Sequence, residues 1–496
     1  MDATKDDKVV GPQHVLNVES PTEVSVAVKT KRHAGRSVGF AWVLLYMAIA
    51  LPCLLFLSLW MPPNEAPDEW TGIVRADSLR HGELMGRRLA GVDASGQPAP
   101  QAGISADWSL LRAAFVFAPN VAMADRSLIP ALIAQQRAIA WDGHSTPMMV
   151  ANTAPYLAGA AGLQLGKSLG FGPYDAIRIG RVVSALGCAL IAAAGLWLAP
   201  RGHALLLATL ALPMSLSLAA SFNMDGMLIA LSVLASGLLL REGVRARLVA
   251  ALALAILIAA KPAYAPLALL LVARDGTRPA MRVAALAVAL LPGLVWFLAA
   301  TSLVATNFLA GEAYRPGPLW HGDPSAMFTT LDRRAQVGVL LVDPWLVLRL
   351  PWELLVCEGA NLAREMIGVL VQLNLPLPDW VYRMWSLVLP VATLGCVLGR
   401  GKKGQFWSGL IAGVALCGAV WLVILSQYVS WTPVGAVAVI GTQGRYLLPV
   451  LAFLPCALPA LGGSRGIRLL AEAVTVLAAS SALVVLPGLV FATYYR

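Results

Sequence analysis

The residues best suited to chemistry stand directly after a long apolar run. PPNEAPDEW, residues 62 to 70, holds three carboxylates, Glu65, Asp68 and Glu69. A carboxylate fixed at a water–lipid boundary can take the proton from an attacking hydroxyl or hold a divalent metal. It can also serve only the fold, since an acidic side chain in the first turn of a helix is stabilised by the helix dipole by about 0.3 to 1 kcal/mol. Asp68 and Glu69 are the candidate catalytic pair, and Glu65, ahead of Pro67, is the weaker third.

Other charges stand out because they interrupt apolar sequence. In SFNMDGM, residues 221 to 227, Asn223 or Asp225 either caps the following helix or, if the loop faces outward, Asp225 supplies a secondary acidic position. Arg445 in TQGRYLLPVLAFL falls at a helix start, where the dipole is already positive; it either snorkels to the headgroups or meets an anion such as a lipid phosphate. Lys261 in AAKPAYAP lies where a cation is costly, and Arg75 flanks the carboxylates. Arg445, Arg75 and Lys261 are thus the candidate lipid-phosphate ligands. Arg178 and Arg181 share a helical face and serve either the same purpose or loop anchoring.

These residues must be positioned by membrane helices. Of 496 residues, 58% are hydrophobic and 13% charged, against about 25% charged in ordinary soluble proteins. Apolar runs recur from end to end, and a helix needs about 20 such residues to cross the hydrocarbon core. An all-α, polytopic protein of 11 to 13 spans is expected. The net charge of +10 comes from Lys and Arg in short loops such as REGVRAR, ARDGTRP, RGKKG and GGSRGIR. That is the positive-inside pattern, and it argues against nucleic acid as a partner.

The organisation reads as a disordered cytoplasmic tail over 1–37, then an N-terminal membrane module over 38–305 with a large outer loop at 61–150. A second outer loop with a re-entrant or surface-lying segment follows over 306–379, and transmembrane helices fill 380–496. The first outer loop should carry amphipathic surface helices in PDEWTGIVRADSLRHGEL and in RSLIPALIAQQRAIAW. All four basic loops fall inside if 150 to 170 is not a full crossing and 247 to 273 is two short ones around Lys261 and Pro262. The six cysteines show no metal-ligand spacing. No phosphate-binding glycine loop or metalloprotease motif is present, so soluble nucleotide chemistry is unsupported.

Seven stretches in order resemble the bacterial integral-membrane family DUF2142, which itself looks like the GT-C superfamily of glycosyltransferases. They are PDEWTGIVRADSLRHGEL, APYLAGAAG, IRIGRVVSAL, LPMSLSLAASFNMDGMLIAL, AKPAYAPLALL, IGVLVQLNLPLPDW and WTPVGAVAVIGTQGRYLLPVL. The family pattern after the first span reads approximately PDEPAHFYRA; here Trp70, Thr71 and Gly72 replace Pro-Ala-His. NTAPY, residues 152 to 156, stands for a Tyr-Pro-Pro-Leu-type motif.

The resemblance implies a GT-C-like fold in the bacterial inner membrane, multi-pass, with a cytoplasmic N-terminus. It implies Asp68 as the catalytic carboxylate with Glu69 beside it, and Asp225 as a secondary acidic position. The implied partners are a polyprenyl-phosphate sugar, membrane lipids and a cell-envelope glycan acceptor, with a divalent metal as the one cofactor in view. Two rivals stay open: a non-enzymatic transporter or flippase of lipid-linked or exported polysaccharide, and a scaffold subunit of an export machine.

Overall fold

The computed structural model describes residues 21–92, 98–115, 128–143, 154–273, 278–304, 313–314, 328–329, 331–398 and 406–495. Helix α1 (Pro21–Trp60) contains the uncharged run from Val38 to Trp60. It begins inside the stretch expected to be a disordered tail, of which residues 1–20 lie outside the described residues. Then come α2 (Glu69–Arg80), a hairpin of β1 (Arg87–Val92) and β2 (Pro98–Gly103), α3 (Trp108–Phe115), α4 (Ile129–Arg137) and α5 (Leu157–Ser168). The hairpin was not foreseen, since its strands, RRLAGV and PAPQAG, have no regular apolar alternation.

The bundle continues with α6 (Pro173–Leu198), α7 (His203–Ala211), α8 (Pro213–Ala219), α9 (Met224–Leu239), α10 (Val244–Ala260), a 3₁₀ segment (Pro262–Leu271) and α11 (Pro279–Ala299). After α12 (Arg333–Val342) and α13 (Leu346–Gly368) a short hairpin pairs β3 (Val369–Leu370) with β4 (Leu375–Pro376). The chain closes with α14 (Asp379–Val397), α15 (Phe406–Trp431), α16 (Leu448–Leu451), α17 (Leu454–Ala457) and α18 (Arg465–Tyr494). Of the second outer loop expected within 306–379, residues 306–312, 315–327 and 330 lie outside the described residues.

Among the described residues, six helices are long and apolar enough to cross a membrane, or seven if the pair α8 and α9, bent by 112°, is one span. The expected 11 to 13 spans are therefore not all continuous helices. Proline is the main reason, since it removes a backbone donor and clashes with the preceding turn. Pro213 separates α7 from α8, and Pro262 turns the chain from α10 into a 3₁₀ segment. The stretch at 150 to 170 yields only the 12-residue α5, which packs along α6.

The shared apolar core runs through α1, α6, α7, α9, α10 and α18, with Leu54, Leu196, Leu206, Leu228, Leu254 and Leu486 all buried. The bundle has two chemically distinct ends. At one, Arg241 Nε donates to Leu198 O at 2.6 Å, Arg201 Nη2 to Pro455 O at 2.6 Å and Leu458 O at 2.8 Å, and Leu461 N to Val397 O at 2.9 Å. The loops containing REGVRAR and GGSRGIR issue from this basic end, and RGKKG lies outside the described residues. Gly39, at the start of the first span, lies against Trp197 and so belongs to it. At the other end Ser58 Oγ donates to Ala220 O at 3.1 Å, Arg178 holds Leu59 O at 2.6 and 2.8 Å, and the last turn of α18 meets Glu65 through Tyr494.

Candidate functional site

The candidate residues gather at the end opposite the basic loops, around the turn that leads from α1 into α2. Asp68 occupies the N-cap position of α2 with φ of 54°, in the left-handed region, and its side chain makes no capping bond. Aspartate tolerates that conformation better than most residues. Its consequence is directional, because the carboxylate leaves the helix end and pairs with Arg445 Nη2.

Arg445 sits in a short 3₁₀ turn, Gly444–Leu447. Gly444 is required there, because a Cβ on it would collide with the carbonyl oxygen of Leu362 in α13. The Gly444 amide donates to Glu365 Oε2 at 2.7 Å, which ties the turn to α13. Beyond Asp68, the Arg445 guanidinium donates to Pro67 O at 3.2 Å and to Gln443 Oε1 at 2.5 Å, and its Nε lies 3.8 Å from Asp225 Oδ2.

Asn223 caps α9 by accepting from the Asp225 amide at 2.7 Å, and its own amide nitrogen donates to Pro67 O at 2.5 Å. The cap thus also fastens the loop that carries Asp68. Asp225 itself turns its carboxylate to Lys261, whose Nζ lies 2.5 Å from Oδ1. Lys261 stands over the Tyr446 ring at 4.0 Å, and the Arg445 guanidinium lies 5.0 Å from the same ring, a cation–π arrangement favoured in a desolvated setting. The Tyr446 hydroxyl, pushed up to about 12 by burial, accepts from Arg445 Nη2 at 3.3 Å. The structure therefore unites Asp68, Asp225, Arg445 and Lys261.

Glu69 is placed differently. Both of its oxygens take the guanidinium of Arg181, at 2.6 and 2.5 Å, and both side chains are 0% exposed. Glu69 also accepts from the amides of Asn64 at 2.9 Å and Phe222 at 3.2 Å, while Arg181 donates to Met61 O and Pro62 O. Its chemistry is spent inside this buried network, which joins α1, α2, α6 and the Phe222 turn. Glu65 is buried as well, accepting from the Tyr494 hydroxyl, and burial pushes its carboxyl up to about 7. Arg178 anchors Leu59 O and Asp175.

Arg75 donates to the Tyr156 hydroxyl at 3.2 Å, and Tyr156 is near enough to Asp68 and Asp225 to feel both charges. Arg75 thus borders the cluster through a tyrosine. Gly72, where the family pattern has histidine, has a structural cause: a Cβ there would clash with the Phe222 carbonyl oxygen and crowd the Tyr156 ring. With α2 pressed on this turn, no side chain fits.

The donor set does not suit a divalent cation at Asp68 and Asp225, because Arg445 and Lys261 already match the two carboxylates charge for charge. Among the described residues, Asp77, His81 and Asp107 bring three possible ligand atoms within 4.8 Å of one another. Those carboxylates are likewise paired, Asp77 with Arg80 and Asp107 with Lys167 at 3.3 Å. His81 bridges both at 3.4 and 3.5 Å, and burial raises the Asp77 carboxyl above its ordinary range. The Trp141 ring lies against both cations, at 5.3 Å from Arg80 and 4.4 Å from Lys167. This second cluster fastens α2 to α3 and α5, and sequence reasoning missed it.

Sequence reasoning also missed Tyr446 and Tyr156. Both lie within stretches already in view, Tyr446 directly after Arg445, where an aromatic beside a charge was the available signal, and Tyr156 at the end of NTAPY.

The family described as "Predicted membrane protein (DUF2142)" matches residues 51–454. No curated protein matches the sequence. Among solved structures, ArnT from Cupriavidus metallidurans bound to undecaprenyl phosphate is similar at 15% identity, over 90% of this chain and 78% of that one, with a TM-score of 0.29. So loose a likeness carries no argument about the site.

Proposed function

The chain belongs to the DUF2142 family of predicted membrane proteins, and from the charged cluster at one end of its bundle we propose that it is a GT-C-like glycosyltransferase. It would transfer a sugar from a polyprenyl-phosphate donor to a cell-envelope glycan. The observation that carries this reading is the junction of a largely exposed carboxylate, Asp68, with a buried cation, Arg445, where the first span ends. A base and an anion-binding group side by side are what a displacement at an anomeric carbon needs.

Asp68 takes the proton of the acceptor hydroxyl as its oxygen attacks the sugar carbon, and the bond to the donor phosphate breaks. Negative charge then develops on the departing phosphate. Arg445, with Lys261 behind it and Arg75 at the rim, stabilises that charge in a setting where buried donors need little reorganisation. A lipid-linked donor accounts for the large membrane portion of the chain. The basic loops at the opposite end support a cytoplasmic N-terminus and a site at the outer face of the inner membrane. The first outer loop is too long for its own charges to count in that rule.

The experiment is glycan analysis of a deletion strain complemented with the wild-type gene or with Asp68→Asn. The wild type should restore glycan modification and the variant should not, at equal amounts of folded protein in the membrane. Restoration by Asp68→Asn overturns the assignment. Build-up of untransferred lipid-linked glycan, rescued equally by both genes, would point to the flippase instead.

A further inference from the structure

The loop that presents Asp68 has an unusual requirement. Pro62, Pro63 and Pro67 have no backbone N–H, so this stretch cannot hold itself by regular backbone pairing. Its carbonyls are held by side chains from distant parts of the chain. Met61 O and Pro62 O take Arg181, and Pro67 O takes Asn223 and Arg445. Of the four carbonyls between them, those of Asn64 and Ala66 both accept from a single amide nitrogen, Gln372 Nε2, at 2.8 and 2.9 Å, and Ala66 O also takes the Glu69 amide at 3.2 Å.

Gln372 lies in the tip of the β3–β4 hairpin, whose register pairs Val369 with Pro376 and Leu370 with Leu375. The residues on either side of it, Val371 and Leu373, have φ of 60° and 63°. Neither is glycine, and a β-branched residue in the left-handed region is a true outlier. Such a conformation persists only where the surroundings over-determine it. Here they do: Leu370, Val371 and Leu377 are buried in the main core, and the Tyr382 hydroxyl donates to Gly368 O at 2.7 Å and accepts from Leu377 N at 2.9 Å. The hairpin is bolted at its base, and its tip delivers one amide to one loop.

We propose that Gln372 is a positioning residue for Asp68, clamping the proline-rich loop from the far half of the chain so that the carboxylate stays in register with Arg445. Its role in catalysis rests on the sugar-transfer reading; its role in ordering the loop does not. Asn64 and Asp68 both have positive φ, 67° and 54°, so the loop is bent at each end of the clamped segment. Without Gln372 the Asn64 carbonyl is released and Ala66 O keeps only the bond from the Glu69 amide, which lets those bends relax and the carboxylate wander.

The test uses the full chain in lipid nanodiscs, as wild type, Gln372→Met and Gln372→Asn. Methionine keeps the length and packs without a donor, and asparagine keeps the donor on a shorter arm. Hydrogen–deuterium exchange should be at least about tenfold faster over residues 62–70 in Gln372→Met, with partial recovery in Gln372→Asn, while the spans keep their protection. Unchanged exchange in that loop overturns the proposal. In a transfer assay Gln372→Met should lower kcat without raising the donor KM; wild-type kcat with a loosened loop overturns the catalytic role. If the wild type transfers no sugar, the functional reading fails, and the exchange result alone decides whether Gln372 orders the loop.

Discussion

Arg445 grips Asp68 across 377 positions of chain, and the two differ sharply in exposure, with 1% of the arginine side chain and 60% of the aspartate open to solvent. The arginine is fixed by Pro67 O, Gln443 and the nearby Asp225. The aspartate is the partner that can leave. An anion arriving at Arg445 competes with Asp68 for Nη2, so binding the anion and freeing the carboxylate are one event.

Asp68→Asn keeps an oxygen acceptor for Arg445 and tolerates the left-handed turn, but it leaves the buried guanidinium only Asp225, which Lys261 shares, so a modest loss of about 1 to 2 kcal/mol is expected. Transfer should fall by about 10²- to 10⁴-fold, the range of a lost general base. Thermal melting of purified protein checks the first and turnover of lipid-linked donor the second. A large drop in melting temperature would make Asp68 a structural residue.

Glu69, one position later, should behave in the opposite way. Glu69→Gln removes one charge from a pair that is 0% exposed on both sides and leaves the Arg181 charge buried without its partner. Breaking such a pair costs about 3 to 5 kcal/mol. The amount of folded protein in membranes and its melting temperature should both fall. A Glu69→Gln protein as stable as wild type, but inactive, would return Glu69 to the catalytic group.

Gly72 gives a steric prediction. A Cβ there meets a backbone oxygen, that of Phe222, which cannot rotate away as a flexible side chain would. Gly72→Ala should cost about 3 kcal/mol, at the upper end of the usual range for overpacking, and Gly72→His more. Melting temperatures of the two variants check this. A His variant that folds normally would mean that the contact between α2 and the Phe222 turn yields readily.

Much of the cluster was legible because charge in an apolar chain is conspicuous. Lys261, Asp225 and Arg445 each interrupt a hydrophobic run, and only a partner or water makes that tolerable. The division of labour between Asp68 and Glu69 was not legible. They are neighbours in sequence, and only the left-handed turn at Asp68 sends one carboxylate to Arg445 and the other into the core beside Arg181. Gln372 was hidden for another reason: VQLN reads as part of an apolar stretch, and its positive-φ positions carry no glycine to betray them. The break at Lys261 and Pro262 was legible in AAKPAYAP, whereas the one at Pro213 was not, because that proline falls inside an apolar run without lowering its hydrophobicity.

Glu65 sets a pH dependence of stability. Its side chain is buried; one oxygen accepts from the Tyr494 hydroxyl, and the other has no partner among the described residues. Burial raises its carboxyl from 4.5 to about 7, the Glu69 charge adds to the rise, and Tyr494 and Arg181 oppose it. The folded state thus holds a proton that the unfolded chain has lost between those two values, so stability from this group is complete below about 4.5 and is lost as pH rises through about 7. The difference corresponds to about 3 kcal/mol. Glu65→Gln keeps an acceptor for Tyr494 and cannot ionise, so its stability should stay flat across the window in which the wild type declines, and should exceed the wild type above pH 7. Melting temperatures of both proteins from pH 5 to pH 8 measure this directly. Parallel curves would mean that water reaches the carboxyl and that the contact between Glu65 and the end of α18 opens in solution.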